Sequence, residues 1–235
     1  MSWKSVLTVV ALVNGMIGGL TLVLPIYAKQ SGTIETLLIL LVTGSFSFYS
    51  CYLSLIHLGN HQDLDKAIYH HFGESLAVKI FYDLLVFLNL GFILLLYFTL
   101  IVQQWEGLTA PSIINPICNA IFLLALVFFL NYFHFGAKLM GYGIISIIGY
   151  CIFLIWLLGS APKGDGKIEK FGSGGINLAS AMSEGFAIQI FFIPILRELP
   201  SAKNYIKFTL MAYVIGGLVY SYIAYGGAYG NYFIR

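Results

Sequence analysis

The chain of 235 residues is 59% hydrophobic and only 9% charged, with a formal net charge of +2, whereas an ordinary soluble domain carries about 25% charged residues. That balance excludes a water-soluble globule. The few charges are spread over short polar stretches, which excludes a nucleic-acid-binding stripe or a polybasic membrane anchor, and the composition is that of an integral, polytopic membrane protein.

Stretches of roughly 20 apolar residues, the length that crosses about 30 Å of hydrocarbon, predict seven spans near 5–27, 34–58, 80–104, 113–133, 139–158, 178–199 and 208–230 within a single transmembrane domain, 1–235. The first is too long for a signal peptide, holds Asn14 and Pro25 inside it, and is followed by "YAKQSG", which offers no small-x-small cleavage site. With alternating sides, Lys4, Lys66, Lys79, Lys138, Arg197, Lys203 and Lys207 share one face, and Lys29, Lys163, Lys167, Lys170 and Arg235 the other. The bias places the N-terminus on the positive-inside face, cytoplasmic or equivalent.

The first span carries "NGMIGGLTLVLP", residues 14–25. Gly15, Gly18 and Gly19 lower helix propensity in mid-span, and Asn14 supplies a side chain able to cap the ends of a broken helix. A break at membrane depth is tolerated only where protein buries it or where it lines a watery cavity. Its half-helix ends then attract a carboxylate at free N–H groups and a cation or ammonium at free carbonyls. The same spacing, Gly15-x-x-x-Gly19, also suits a close helix crossing, and the glycines alone do not choose between the two.

Between spans two and three, "GNHQDLDKAIYHHFGES" (59–75) places Leu64, Ala67, Ile68 and Phe72 at helical spacing behind Asp63 or Asp65, which predicts a short interfacial helix. His70 and His71 are adjacent and do not share a helix face, so they read as solvated residues rather than ligands. Asp83, early in span three, is either a proton or cation partner or a first-turn carboxylate favoured by the helix dipole. Cys51, Cys118 and Cys151 lie in apolar segments without pairing or metal-like spacing and read as small packing residues. The stretch 159–177, "GSAPKGDGKIEKFGSGGIN", reads as a flexible glycine-rich connector, since a phosphate loop would need a preceding strand and a GK[ST] ending.

Span six, "NLASAMSEGFAIQIFFIPILRELP", is interrupted as well: Glu184-Gly185 stands a third of the way in, Gln189 near the middle, and Pro194 beyond, where it frees a carbonyl about one turn earlier. Glu184 is a coupling candidate if it lies within the span, and an interfacial carboxylate if the connector lies close above it. Arg197-Glu198 closes the span as an interfacial pair. In span seven, tyrosines at 220, 222, 225, 229 and 232 read as an aromatic belt. No H-E-x-x-H, C-x-x-C or G-x-S-x-G motif and no pair of in-membrane carboxylates is present, so no enzymatic activity, cofactor or metal is expected.

Two interrupted spans separated by five are the best sequence pointer to a transporter's binding site. Here Asn14, Met16, Ile17, Gly18, Leu24, Pro25 and Gly32 stand in the register of a family pattern, N-x-M-[IL]-G-[ST]-G-[IV]-x-x-[LI]-P followed by a glycine. Pro194, Glu198, Leu199, Tyr222, Gly226 and Tyr229 fit its sixth and seventh spans, and "DLDKAIYHHFGE" its acidic link between spans two and three. In these motifs, in their order along nearly the whole chain, the sequence resembles the amino acid/auxin permease family of transmembrane amino acid transporters, in the amino acid-polyamine-organocation superfamily.

The resemblance implies an all-α polytopic fold: the first five-helix repeat plus spans six and seven of an inverted-repeat (LeuT-like) transporter, with spans one and six broken. It implies secondary, ion-coupled symport of an amino acid held at Asn14, Gly15, Met16, Gly18 and Gly19 of span one and Phe186, Ala187, Ile188 and Gln189 of span six. Glu184 and Asp83 are the residues left for ion or proton coupling. Two departures matter. Leu20 stands where the family places a glycine after a polar residue, and the family has more spans than this chain. The shorter length implies a further membrane polypeptide or large membrane complex as partner, and an alternative role as a truncated, transport-inactive homologue serving as an accessory subunit.

Overall fold

The computed structural model describes residues 3–17, 20–58, 64–73, 75–108, 116–118, 120–122, 124–125, 148–149, 152, 169–189, 192–197 and 204–230. Among them the secondary structure is helical, without strands. The predicted spans 113–133 and 139–158 fall almost wholly outside the described residues, as do Gly18, Gly19, residues 159–168 of the connector, and Glu198. The chain forms two compact units, Met1–Leu64 with Gly143–Arg235, and Asp65–Tyr142.

In the first unit the helices are α1 (Trp3–Met16), α2 (Leu20–Ser31) and α3 (Thr33–Leu58), then α6 (Gly175–Gly185), α7 (Phe192–Leu196) and α8 (Tyr205–Gly230). In the second unit, α4 (Leu64–His71, starting at the boundary) and α5 (Leu76–Leu108) lie between these in sequence. Thr33–His57 and Tyr205–Gly226 are each long and apolar enough to cross a membrane. The first predicted span is therefore two helices, α1 and α2, and the sixth is also two, α6 and α7.

The second unit is built on simple local signals. α4 buries Ala67 and turns Lys66, His70 and His71 outward, and it stops at Gly73, whose φ of +70° only glycine adopts at little cost. α5, at 33 residues, runs past both ends of the predicted third span. It exposes Ile80, Phe81, Leu84, Phe87 and Phe92, a distribution of large apolar side chains suited to hydrocarbon rather than to water.

The core of the first unit joins Val9, Leu12, Val13 and Met16 of α1 and Leu24 and Ala28 of α2 to Leu178 and Met182 of α6, Phe192 and Leu196 of α7, and Tyr213, Tyr220, Ile223 and Ala224 of α8. α8 packs on α1, α2 and α3, and α6 packs on α2 and α3. At the α1–α8 crossing, a Cβ on Gly216 would stand 2.9 Å from the Met16 Sδ, so this glycine lets the two helices approach. Pro194 sits in the first turn of α7, where its missing N–H is an orphan in any helix.

The glycine-rich end of the connector is not a loose tether. α2 ends at Gly32, with φ +87°, and the N–H of Gly32 donates to the Ala28 carbonyl at 3.0 Å. α3 begins at the next residue, so the end of one helix and the start of the other present orphan carbonyls and orphan N–H groups side by side. Residues 169–174 satisfy both. The Glu169 carbonyl accepts from Thr33 N–H at 2.9 Å and the Lys170 carbonyl from Ile34 N–H at 3.0 Å. In the other direction, the N–H of Gly172 donates to Ser31 O at 2.6 Å, and those of Ser173 and Gly174 to Gln30 O at 3.1 and 3.2 Å. The Gly172 N–H also lies 3.2 Å from Glu35 Oε2.

This reciprocal cap explains Gly172, Gly174 and Gly175, which composition alone reads as flexible. A Cβ at Gly172 would collide with the Gln30 carbonyl oxygen, one at Gly175 with Glu35 Oε1, and one at Gly174 would lie 2.6 Å from the Gln30 Cβ. Gly172→Ala is expected to cost about 1–3 kcal/mol, the range for overpacking a closed site. Gly217→Ala, whose Cβ would meet only Leu40 Cδ2 at 3.7 Å, should be neutral or slightly stabilising, because alanine is the better helix former. Thermal unfolding of the detergent-purified protein, with amide exchange over residues 31–35, checks the contrast.

Candidate functional site

Each broken helix leaves a C-terminal end in the protein interior. α1 finishes at Met16, with Ile17 N–H donating to Val13 O at 2.9 Å. α6 finishes at Gly185, and the backbone then tightens. Ala187 N–H donates to Glu184 O at 3.0 Å and Ile188 N–H to Phe186 O at 3.0 Å, before Phe192 N–H to Ile188 O, 2.9 Å, starts α7. The three-residue and two-residue bonds mark a 3₁₀ turn and a γ-turn. Phe186 itself has φ −90° and ψ 0°, the sparsely populated bridge region.

The carbonyls released by these breaks are met by two tyrosines of α8. Tyr220 is fully buried. Its hydroxyl donates to the Met16 carbonyl and lies 3.1 Å from the Gly185 carbonyl oxygen. Tyr213, two turns earlier on the same face, donates to the Phe186 carbonyl at 2.9 Å and has Cys51 Sγ of α3 at 3.4 Å. The Phe186 ring lies between the two, stacked on Tyr213 at 5.8 Å and edge-on to Tyr220 at 5.2 Å. Gly44 of α3 makes room for it, since a Cβ there would stand 3.3 Å from Phe186 Cζ.

Behind Phe186, an apolar groove of about 390 Å³ opens between α3 and α8, lined among others by Leu37, Leu41, Gly44, Phe48, Val214 and Leu218. Its outer walls are exposed: Leu41, Val214 and Leu218 are each more than half accessible.

Of the residues expected from the sequence, Met16 and Phe186 are buried, and Tyr220 joins them at one point. Ile188 is buried, Asn14, Ala187 and Gln189 are half-buried, and Gly15 is exposed. Gly18 and Gly19 lie outside the described residues. Glu184 is exposed one position before the end of α6, and Asp83 is exposed on α5 in the second unit. Tyr220 departs from the interfacial-belt reading, since it is buried with its hydroxyl on the first break. Tyr225 is also engaged, donating to Thr33 O at 2.6 Å.

Beyond the residues expected from the sequence, the site draws on Tyr213, Gly216 and Gly44, and on Tyr220, which the sequence alone places in the aromatic belt. One signal for the tyrosines was present: a spacing of seven on one helix face, with Gly216 between them.

Comparison of the chain with protein-family models, curated proteins and solved structures finds no significant match.

Chemically, the arrangement gathers the negative ends of two helix dipoles, about half an elementary charge each, around a single neutral hydroxyl. Such a place favours a cationic hydrogen-bond donor. Removing the Tyr213 hydroxyl takes one of two donors from the buried Phe186 carbonyl, which keeps the Ile188 N–H at 3.0 Å. Tyr213→Phe is expected to cost about 0.5–1.5 kcal/mol, the net worth of one buried hydrogen bond, whereas Tyr49→Phe on the exposed side of α3 should stay below about 0.5 kcal/mol. Denaturation of the two variants in the same detergent measures the difference.

Proposed function

We propose that the chain is an integral membrane protein of the amino-acid-transporter type, working as a secondary, ion-coupled carrier. Its substrate lies at the broken middles of spans one and six, against Asn14, Gly15, Met16, Gly18 and Gly19 on one side and Phe186, Ala187, Ile188 and Gln189 on the other. The observation that carries this reading is the meeting of the two breaks: one tyrosine hydroxyl reaches the last carbonyls of both α1 and α6. Discontinuous helices whose ends converge at mid-membrane are how transporters of this kind place backbone dipoles around charged cargo.

The zwitterion of an amino acid matches that chemistry. Its ammonium group suits the carbonyl ends of α1 and α6, and its carboxylate suits the N–H groups that open α2. Two further helices long and apolar enough to cross a membrane, Thr33–His57 and Tyr205–Gly226, support the bilayer as its setting. Glu184 and Asp83 are the groups available for ion or proton coupling.

The test is uptake of a pooled mixture of tritiated amino acids into vesicles holding the purified full chain, with a proton or sodium gradient imposed. Saturable, gradient-dependent uptake is expected, with kcat/KM lowered at least about tenfold by Asn14→Ala, the loss that follows when one buried polar contact to a charged group is removed. A folded protein that shows no uptake under either gradient overturns transport and assigns the chain to the other role, an accessory subunit of a larger membrane assembly.

A further inference from the structure

The Tyr220 hydroxyl has one proton and two carbonyls within reach. The hydroxyl is bonded to the Met16 carbonyl and lies 3.1 Å from the Gly185 carbonyl, so among the described groups the two acceptors share this one donor at a point where two negative helix ends meet. A primary ammonium carries three N–H donors and a full positive charge, and it would satisfy both carbonyls at once. It cannot do so while the hydroxyl holds its place. The ring of Tyr220 is fixed edge-on against Phe186 at 5.2 Å and is fully buried, so the hydroxyl is presented to the carbonyl pair by packing rather than by chance.

We infer that Tyr220 is a positioning residue that competes with the substrate's ammonium group for the Met16 and Gly185 carbonyls, so that ammonium binding and release of the Tyr220 hydroxyl are one event. This rests on the transport reading and adds to it the group that closes the site in the absence of cargo. The consequence is a coupling. Because Tyr220 sits on α8, its release loosens the bond that ties α1 and α6 to that helix, and an amino acid entering the breaks is felt by a third span. The competition also sets a direction that mere damage does not reproduce: deleting the hydroxyl should tighten binding.

The experiment is equilibrium binding of the tritiated amino-acid pool to the purified full chain, wild type against Tyr220→Phe, with the N-acetylated pool as a second ligand lacking the ammonium. Tyr220→Phe is expected to lower Kd for the free amino acids about three- to tenfold, the worth of one net hydrogen bond no longer displaced, and to leave the N-acetylated pool unaffected. Tyr225→Phe, which loses an α8 hydroxyl bonded to Thr33 O, should keep the wild-type Kd. Unchanged or weaker binding by Tyr220→Phe, with the wild type binding normally, overturns the competition and leaves transport standing. A wild type that binds none of the pool removes the transport reading, and this inference with it.

Discussion

A carbonyl oxygen released inside a hydrophobic structure must find a donor, because hydrocarbon supplies none and each orphan costs several kcal/mol. Most of the described architecture of the first unit follows from that constraint. Breaking α1 after Met16 and α6 after Gly185 frees carbonyls from both, and the donors come from the side chains of a third helix. α8 must then lie against both breaks with Tyr213 and Tyr220 on the facing side. Gly216, against Met16, and Gly44, against Phe186, are the clearances that let those helices close to the required distance.

The same constraint is met by a different device at the other end of α2. There the freed groups are backbone carbonyls at Gln30 and Ser31 and backbone N–H groups at Thr33 and Ile34, and the connector satisfies them with its own backbone. Backbone can approach backbone this closely only where no side chain intervenes, which is why the segment reads "GSGG". One consequence is mechanical: the connector that leads directly into α6 is bonded to the junction of α2 and α3, so those three helix ends form one hydrogen-bonded corner. Glu35, in the first turn of α3, adds a carboxylate near the Gly172 N–H, where the dipole of α3 favours it.

The breaks were legible in the sequence and their donors were not. Glycines beside an asparagine in an apolar run, and a Glu-Gly pair ahead of a proline, mark weak points in a helix by local chemistry, which travels with the residues themselves. Tyr220 reaches Met16 across 204 positions of chain, and nothing local to "GGLVYSYIAYGG" distinguishes a tyrosine that caps a distant helix from one that lies at a membrane surface. The connector misled for a related reason. Glycine permits freedom and also permits close approach, and composition alone does not say which is in use.

The geometry bears on the two readings of Gly15-x-x-x-Gly19 through Gly15 alone, since Gly19 lies outside the described residues. A glycine stripe used for a crossing is buried against its partner. Gly15 is exposed, and the close approach between α1 and α8 is made from the other side, by Gly216 against the Met16 side chain. The helix ends between the two glycines, at Met16. At Gly15, then, the chain interrupts the helix rather than packing it, and an interruption capped by a tyrosine from elsewhere is a costly way to pack two helices that a continuous α1 could have packed as well. A continuous helix presents no free carbonyl. A broken one does, beside a second broken helix, and among the described residues one hydroxyl, that of Tyr220, reaches both acceptors.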